Sequence, residues 1–409
     1  MERPTSSRKI GWRGSLKFNY IYYVDAKVRQ KNTINTNHNK EYKMLDVNAE
    51  FIIQEALSDL QVYDNSYEFV NESNFKHELF HKISSKEYNS IRLSEAYPGS
   101  KTSIVHCEAK VENGIESSRK ADLIFCNPLI KMAGVGKTFN YQVEVVCELK
   151  KRFMKEDFTK EIQKYIKYKK KINKYFFIEP YRSDMPPQDI INTLTDCNIK
   201  YITQQTKPIF AINYLSFNDS QNFIIEALEE SLYLYGHYNS QFQSFYWCNY
   251  EHELNRGVTF PSEGDFNAHL YHRIKKKMPF AHVETEYNVG KNKRIDLVIF
   301  GPNNEWCIPI EVKMNWDQFK LKYKNGKQIE EEATTIISRF ELLKARGFKK
   351  CTPILVIIQG DNYYSCHYPQ GDSRNNKHRS LDIIRRKNKN LIIKSFNESQ
   401  NKVGEPTKY

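Results

Sequence analysis

Two stretches of this 409-residue chain set two acidic residues and a lysine in an order that can do chemistry. In the first, Asp122 lies in the apolar run 120–126, and Glu148, Leu149 and Lys150 close the run 139–149. In the second, Asp296 lies in 294–300, and Glu311, Val312 and Lys313 close the run 305–312. Side chains two apart on a strand share a face, so Glu148 pairs with Lys150 and Glu311 with Lys313, while Leu149 and Val312 enter the opposite layer. A turn between antiparallel neighbours then gathers both carboxylates and the ammonium. Paired carboxylates suit a hard divalent cation, Mg2+ or Mn2+, and a neighbouring ammonium can orient a water or steady developing charge, as phosphodiester hydrolysis requires. The bare acidic-x-Lys tripeptide is common, and Asp25-Ala26-Lys27, Glu41-Tyr42-Lys43 and Glu108-Ala109-Lys110 also satisfy it. Those at 148 and 311 differ in ending an apolar strand that follows an Asp-bearing one, with an amphipathic helix behind.

The elements that must position these residues occur twice. FIIQEALSDLQVY from Phe51 is echoed by FIIEALEESLYLY from Phe223, and NFKHELFHKI at 74–83 by DFNAHLYHRI at 265–274. His106 and Glu108 are echoed by His282 and Glu284 on strand-like runs, Ala121-Asp122 by Ile295-Asp296, and Glu148-Leu149-Lys150 by Glu311-Val312-Lys313. Echoes in one order indicate a duplication, with a first copy over 46–216 and a second over 217–362. Residues 1–45 read as a basic extension, with a possible strand at 17–28, and 363–409 as a basic tail. Each copy runs helix, helix, strand, strand, strand, helix, strand, which predicts a mixed α/β (α+β) fold. The expected strands are 103–111, 120–126, 139–149, 175–178 and 208–215 in copy 1, and 281–287, 294–300, 305–312 and 353–359 in copy 2. The helices after the Glu-x-Lys strands are expected at 157–172 and 328–345.

This arrangement resembles the PD-(D/E)xK nuclease superfamily over about two thirds of the chain, with Ala121 and Ile295 where the motif carries proline. The resemblance implies two tandem restriction-endonuclease-like domains, each a mixed central sheet flanked by helices. It gives catalytic roles to Asp122, Glu148, Lys150, Asp296, Glu311 and Lys313, with magnesium or manganese as cofactor. Many members add a glutamate from the first core helix. Glu78 is placed for that in copy 1, beside the metal ligands Asp122 and Glu148. Copy 2 has His269 there, so Glu263 or Glu284 would have to substitute beside Asp296 and Glu311. Glu108 and Glu284 can assist a metal or face solvent. His81 and His272 can serve helix packing or touch a phosphate. The expected activity is a metal-dependent endonuclease acting on DNA in restriction or anti-phage defence, as a pseudo-dimer within one chain or a homo-oligomer. The alternatives are a nucleic-acid-binding protein with degenerate nuclease folds, or an RNase.

Composition agrees with a polyanionic partner. The net charge of +13 favours phosphate contact, and Lys164, Lys167, Lys169, Lys170, Arg385 and Arg386 are the candidate nucleic-acid contacts. None of the eight cysteines falls in a C-x-x-C pair, which argues against zinc or iron–sulfur sites built from such pairs. Apolar runs are too short to span a bilayer, and no apolar segment follows the basic N-terminus, so a cytoplasmic chain is expected. Gly134-Val135-Gly136-Lys137-Thr138 ends like a P-loop, but Lys131 replaces its first glycine and a strand rather than a helix follows.

Overall fold

The computed structural model describes residues 49–404 apart from several loops, among them 112–119, 130–139, 248–257, 314–325 and 358–389. The possible strand at 17–28 therefore lies outside the described residues. Leu45–Tyr409 forms one compact unit, separate from Met1–Met44.

The first half contains α1 (Ala49–Ser58), β1 (Gln61–Tyr63), α2 (Glu72–Ser85), β2 (Ser90–Arg92), β3 (Lys101–Ser103), β4 (Val105–Val111), β5 (Lys120–Leu129) and β6 (Asn140–Leu149). It continues with α3 (Lys155–Tyr168), β7 (Lys174–Pro180), α4 (Gln188–Asp196), β8 (Lys200–Gln204) and β9 (Lys207–Ile209). The second half opens with α5 (Phe217–Trp247), β10 (Val258–Thr259), α6 (Glu263–Lys277), β11 (His282–Gly290), β12 (Lys293–Phe300) and β13 (Trp306–Lys313). After these come α7 (Gly326–Lys344), β14 (Lys350–Cys351), β15 (Ile354–Ile357), β16 (Ile392–Asn397) and β17 (Lys402–Gly404).

Two mixed sheets share a core strand order and differ at their edges, where β10 joins β4 in one and β17 joins β16 in the other. The first is β10-β4-β5-β6-β7-β8 and the second β11-β12-β13-β15-β16-β17, with β14 also pairing β13. In each, three antiparallel neighbours (β4, β5, β6 and β11, β12, β13) are followed by two parallel additions (β7, β8 and β15, β16). Two expectations need correction. Residues 363–409 are not only a tail, because β16 and β17 complete the second sheet. Of the expected strand 208–215 the described residues give only β9, which pairs with β1 rather than with the first sheet; residues 210–214 lie outside the described residues, and β8 follows α4 onto the sheet beside β7.

Strand alternation builds a core on both faces of each sheet. Val145, Cys147 and Leu149 of β6 pack with α1 and α2, whereas Val146 packs with Phe158, Ile162 and Tyr165 of α3. In the second half, Ile308, Ile310 and Val312 pack with α5 and α6, and Cys307 packs with Ile336, Ile337 and Phe340 of α7. Glu148 and Glu311 share a face with Val146 and Cys307, so both look toward the helix that follows their strand. The halves also share a core, since Ala268 of α6 sits in the cluster of α1 and α2. Among the described residues no helix is long and apolar enough to cross a membrane. Cys107, Cys147, Cys197, Cys307 and Cys351 are free thiols.

Candidate active sites

Register alone puts the carboxylates together. Leu123 pairs with Cys147 and Leu297 with Ile310, so one step along each antiparallel ladder sets Asp122 across from Glu148 and Asp296 across from Glu311. Each aspartate also caps the backbone of the facing strand. Asp122 Oδ2 accepts from Leu149 N at 2.9 Å, and Asp296 Oδ2 from Val312 N at 2.6 Å. These amides belong to the residue between Glu and Lys in each motif. Both aspartates resist ionisation: burial, then the charge of Glu148, pushes Asp122 up to about 6, and burial, then Glu311, pushes Asp296 up to about 7.

The lysines lie where the alternation puts them. Lys150 Nζ is 2.7 Å from Glu148 Oε1, and Lys313 Nζ is 2.9 Å from Glu311 Oε1. Burial disfavours both ammonium ions, yet the facing carboxylates outweigh it and hold both lysines firmly charged. A second cation reaches each glutamate from the following helix. Lys164 Nζ and Tyr165 Oη approach Glu148 Oε2 at 3.1 and 2.9 Å, while Arg339 Nη1 donates to Glu311 Oε1. Glu311 is wholly buried and its Oε2 has no hydrogen-bond partner.

Glu78 is not part of this cluster. Its Oε2 accepts from Tyr271 Oη at 2.7 Å and its Oε1 lies 3.3 Å from Lys82 Nζ, which commits it to the packing of α2 on α6. The helix glutamate that reaches the site is Glu72, with Oε1 3.5 Å from Lys150 Nζ. In the alignment of 74–83 with 265–274 its counterpart is Glu263, with Oε1 3.7 Å from Lys313 Nζ. Each copy therefore supplies one such glutamate, and in copy 2 it is Glu263 that reaches the Lys313 ammonium. Glu72 went unnoticed because an acidic residue in a first helical turn ordinarily serves the helix dipole; its match to Glu263 under the repeat was the available signal. Arg339 left no such signal, since its distance in sequence from Glu311 differs from that of Lys164 from Glu148.

The His-x-Glu echo is also shifted. Cys107 pairs with Leu123 and Thr285 with Leu297, so the true counterparts are His106 with Glu284 and Glu108 with Glu286. Glu108 and Glu286 stand opposite the two aspartates, and both adopt the left-handed conformation, φ 49° and 47°. That region is strained for a glutamate and interrupts the ladder at one place in both copies. Glu108 also bonds Lys76 Nζ at 2.6 Å, and Lys76 lies 3.9 Å from Asp122 Oδ1. Burial would raise the Glu108 carboxyl, but Lys76 overrides it and holds the group down at about 2. Glu284 is buried, with Oε1 2.9 Å from His282 Nε2. His81 and His272 meet each other, Nδ1 to Nδ1 3.0 Å, between α2 and α6. Of the basic candidates, Lys164 joins the site. The side chains of Lys167, Lys169, Lys170, Arg385 and Arg386 lie outside the described residues.

Among the described residues no group of three or more His, Cys, Asp or Glu side chains is gathered closely enough to enclose a metal ion. Mg2+ does not require such a cage, since it keeps several waters and takes one or two carboxylates together with substrate oxygens. A buried glutamate facing a partly buried aspartate fits a hard cation, and in the second site Glu311 keeps one oxygen with no hydrogen-bond partner. No protein-family model, curated protein or solved structure matches the chain.

Proposed function

We propose that the chain is a divalent-metal-dependent endonuclease of the PD-(D/E)xK type, with two tandem restriction-endonuclease-like folds, acting on DNA in restriction or anti-phage defence. The observation that carries this reading is the repetition of one constellation: Asp across from Glu, Lys on the same face, a glutamate from the first core helix and a cation from the next. A single acidic pair arises easily by chance, whereas matching sets in two halves with one core strand order do not.

Asp122 and Glu148, and Asp296 and Glu311, would hold Mg2+ or Mn2+, which when bound acidifies water and neutralises a phosphate. Lys150 and Lys313 already occupy the glutamate oxygens. A cation there would turn each ammonium toward the attacking water or the developing charge, with Glu72 or Glu263 retaining it. Lys164 and Arg339 would turn likewise toward a phosphate oxygen, which suits Arg339 to two-pronged contact. The charge of +13 supplies the long-range attraction for a polyanion.

Purified chain incubated with Mg2+ or Mn2+ should cleave plasmid DNA. Glu148→Gln and Glu311→Gln together should lower the rate at least 100-fold, and either alone should convert double-strand cuts into nicks. Cleavage of RNA but not DNA would move the substrate to RNA. A second reading, a nucleic-acid-binding protein without catalysis, is favoured by Glu148, whose oxygens are both engaged by Lys150, Lys164 and Tyr165. Tight DNA binding with no cleavage under any metal would establish that reading and overturn the enzyme.

A further inference from the structure

The kinks opposite the two aspartates are held from outside their own half. On α6, Asp265 Oδ1 accepts from Cys107 N of β4 at 2.8 Å, and its Oδ2 lies 3.0 Å from His106 Nδ1. On α2, Asn74 Oδ1 accepts from Thr285 N of β11 at 2.6 Å and from Thr285 Oγ1 at 2.8 Å. Asn71 Nδ2 adds a bond to Thr285 O at 2.8 Å. Asn74 and Asp265 are counterparts under the repeat, as are Cys107 and Thr285, so these are two versions of one contact about a pseudo-twofold axis. Asp265 is 1% exposed and Thr285 0%, so water cannot stand in for either partner.

The seating is close. A Cβ on Gly264, beside Asp265, would fall 2.4 Å from Glu108 Cδ, so the side chain of the kinked glutamate lies against a helix of the other half and would have to shift for any larger residue there. Residues before a left-handed kink need such support, because a strained conformation persists only when its surroundings over-determine it.

We propose that Asp265 and Asn74 are crossed positioning residues: each half's first core helix fixes the kinked strand that sets the aspartate of the other half. Asp265 serves the Asp122 site and Asn74 serves the Asp296 site. The two sites are thus built as an indivisible pair, and neither half retains its site geometry alone. The consequence for metal binding rests on the nuclease reading, whereas the bracing itself does not.

Hydrogen exchange on the full chain tests the bracing directly. Asp265→Ala should speed amide exchange across residues 105–111 by tenfold or more and leave 283–287 as in the parent, and Asn74→Ala should do the reverse. Asp265→Asn, which keeps an oxygen for Cys107 N, should restore protection at Cys107. Thr285→Val, which removes one of the two donors to Asn74 with little change of shape, should give a smaller effect at 283–287 and covers the case in which an alanine variant fails to fold. Loosening confined to each variant's own half, or unchanged exchange at the kinks, overturns the proposal.

Calorimetric titration with Mn2+ supplies the second arm. In a chain whose other site is disabled by Glu311→Gln, Asp265→Ala should weaken binding at the Asp122 site about tenfold; an unchanged affinity overturns the positioning role. If the parent chain binds no Mn2+ at all, the nuclease reading fails, and the exchange arm still decides the bracing.

Discussion

Glu311 shows what the candidate sites cost at the level of single residues. It is fully buried, bonded on one oxygen by Lys313 and Arg339, and faces the partly buried Asp296, whose ionisation is opposed by desolvation and by Glu311 itself. Facing carboxylates repel, and Asp296 still resists ionisation although Lys313 and Arg339 stand beside Glu311. Asp296→Asn keeps an oxygen to accept from Val312 N and removes the repulsion. We expect it to stabilise the metal-free chain by about 1–2 kcal/mol, raising its melting temperature in EDTA. The same variant should lose most of the stabilisation that Mn2+ confers on the parent. An ordinary structural aspartate would instead lose stability on this change. Glu311→Gln is a poorer probe, since it would leave two partly buried cations short of a partner.

Between elements, the turn joining β12 to β13 fixes the register that sets Asp296 across from Glu311. Gly301 N donates to Trp306 O at 2.9 Å, a 3-10 turn spans Pro302–Asn304, and the Trp306 ring lies where a Gly301 side chain would be, 2.3 Å from its Cβ position. The ring is rigid and packed against Phe217, with centroids 5.7 Å apart, so it cannot move aside as a long side chain would. Gly301→Ala should therefore destabilise the chain by roughly 1–3 kcal/mol, measured by urea unfolding. A change below ~0.5 kcal/mol would show that the turn yields without strain. This turn was legible in the sequence as Gly-Pro-Asn-Asn between two apolar runs, and so were Asp122, Glu148, Lys150 and their counterparts, because period-two alternation is a local property. The last strands were not. Ile392–Asn397 pairs with β15 across residues 358–389, and Lys200–Gln204 reaches β7 across α4, pairings that depend on distant edges and carry no spacing rule. The shifted His-x-Glu echo has the same origin: similar letters two residues out of step cannot be told from homologous ones until the kinks at Glu108 and Glu286 anchor the register.

At the scale of the whole molecule, α2 and α6 join the halves through polar groups set beside the apolar core they share. His81 and His272 meet on the pseudo-axis, His77 stacks near Tyr271 with centroids 5.8 Å apart, and Glu78 accepts from Tyr271. Burial, then the charges of Lys82 and Lys275, holds His81 down at about 3. Burial, then His81, His269, Arg273 and Lys276, holds His272 down at about 3. Burial and Lys76 hold His77 at about 4, against weaker opposing effects from its bond to Ser73 O and from Glu108. Below pH ~6.5 the unfolded chain takes up protons that the folded one refuses, so stability falls as pH drops from about 6.5 toward 4. Each ring accounts for roughly 1 kcal/mol per pH unit, short of the ~1.4 kcal/mol ceiling because His81 and His272 keep some solvent contact. Melting temperature followed from pH 7 to pH 5 should fall in the parent, by less than the rings alone would give, because the raised Asp122 and Asp296 carboxyls take up protons in the folded chain over the same range and offset part of the loss. In His81→Gln/His272→Gln, which keeps polar side chains at the contact and removes both protonation sites, the slope should be markedly shallower. An equal slope in the two proteins would place the acid sensitivity elsewhere. A joint of this kind makes the halves separate first as the solution turns acid, so both strand kinks should lose exchange protection together with the α2–α6 contact and ahead of the sheets themselves.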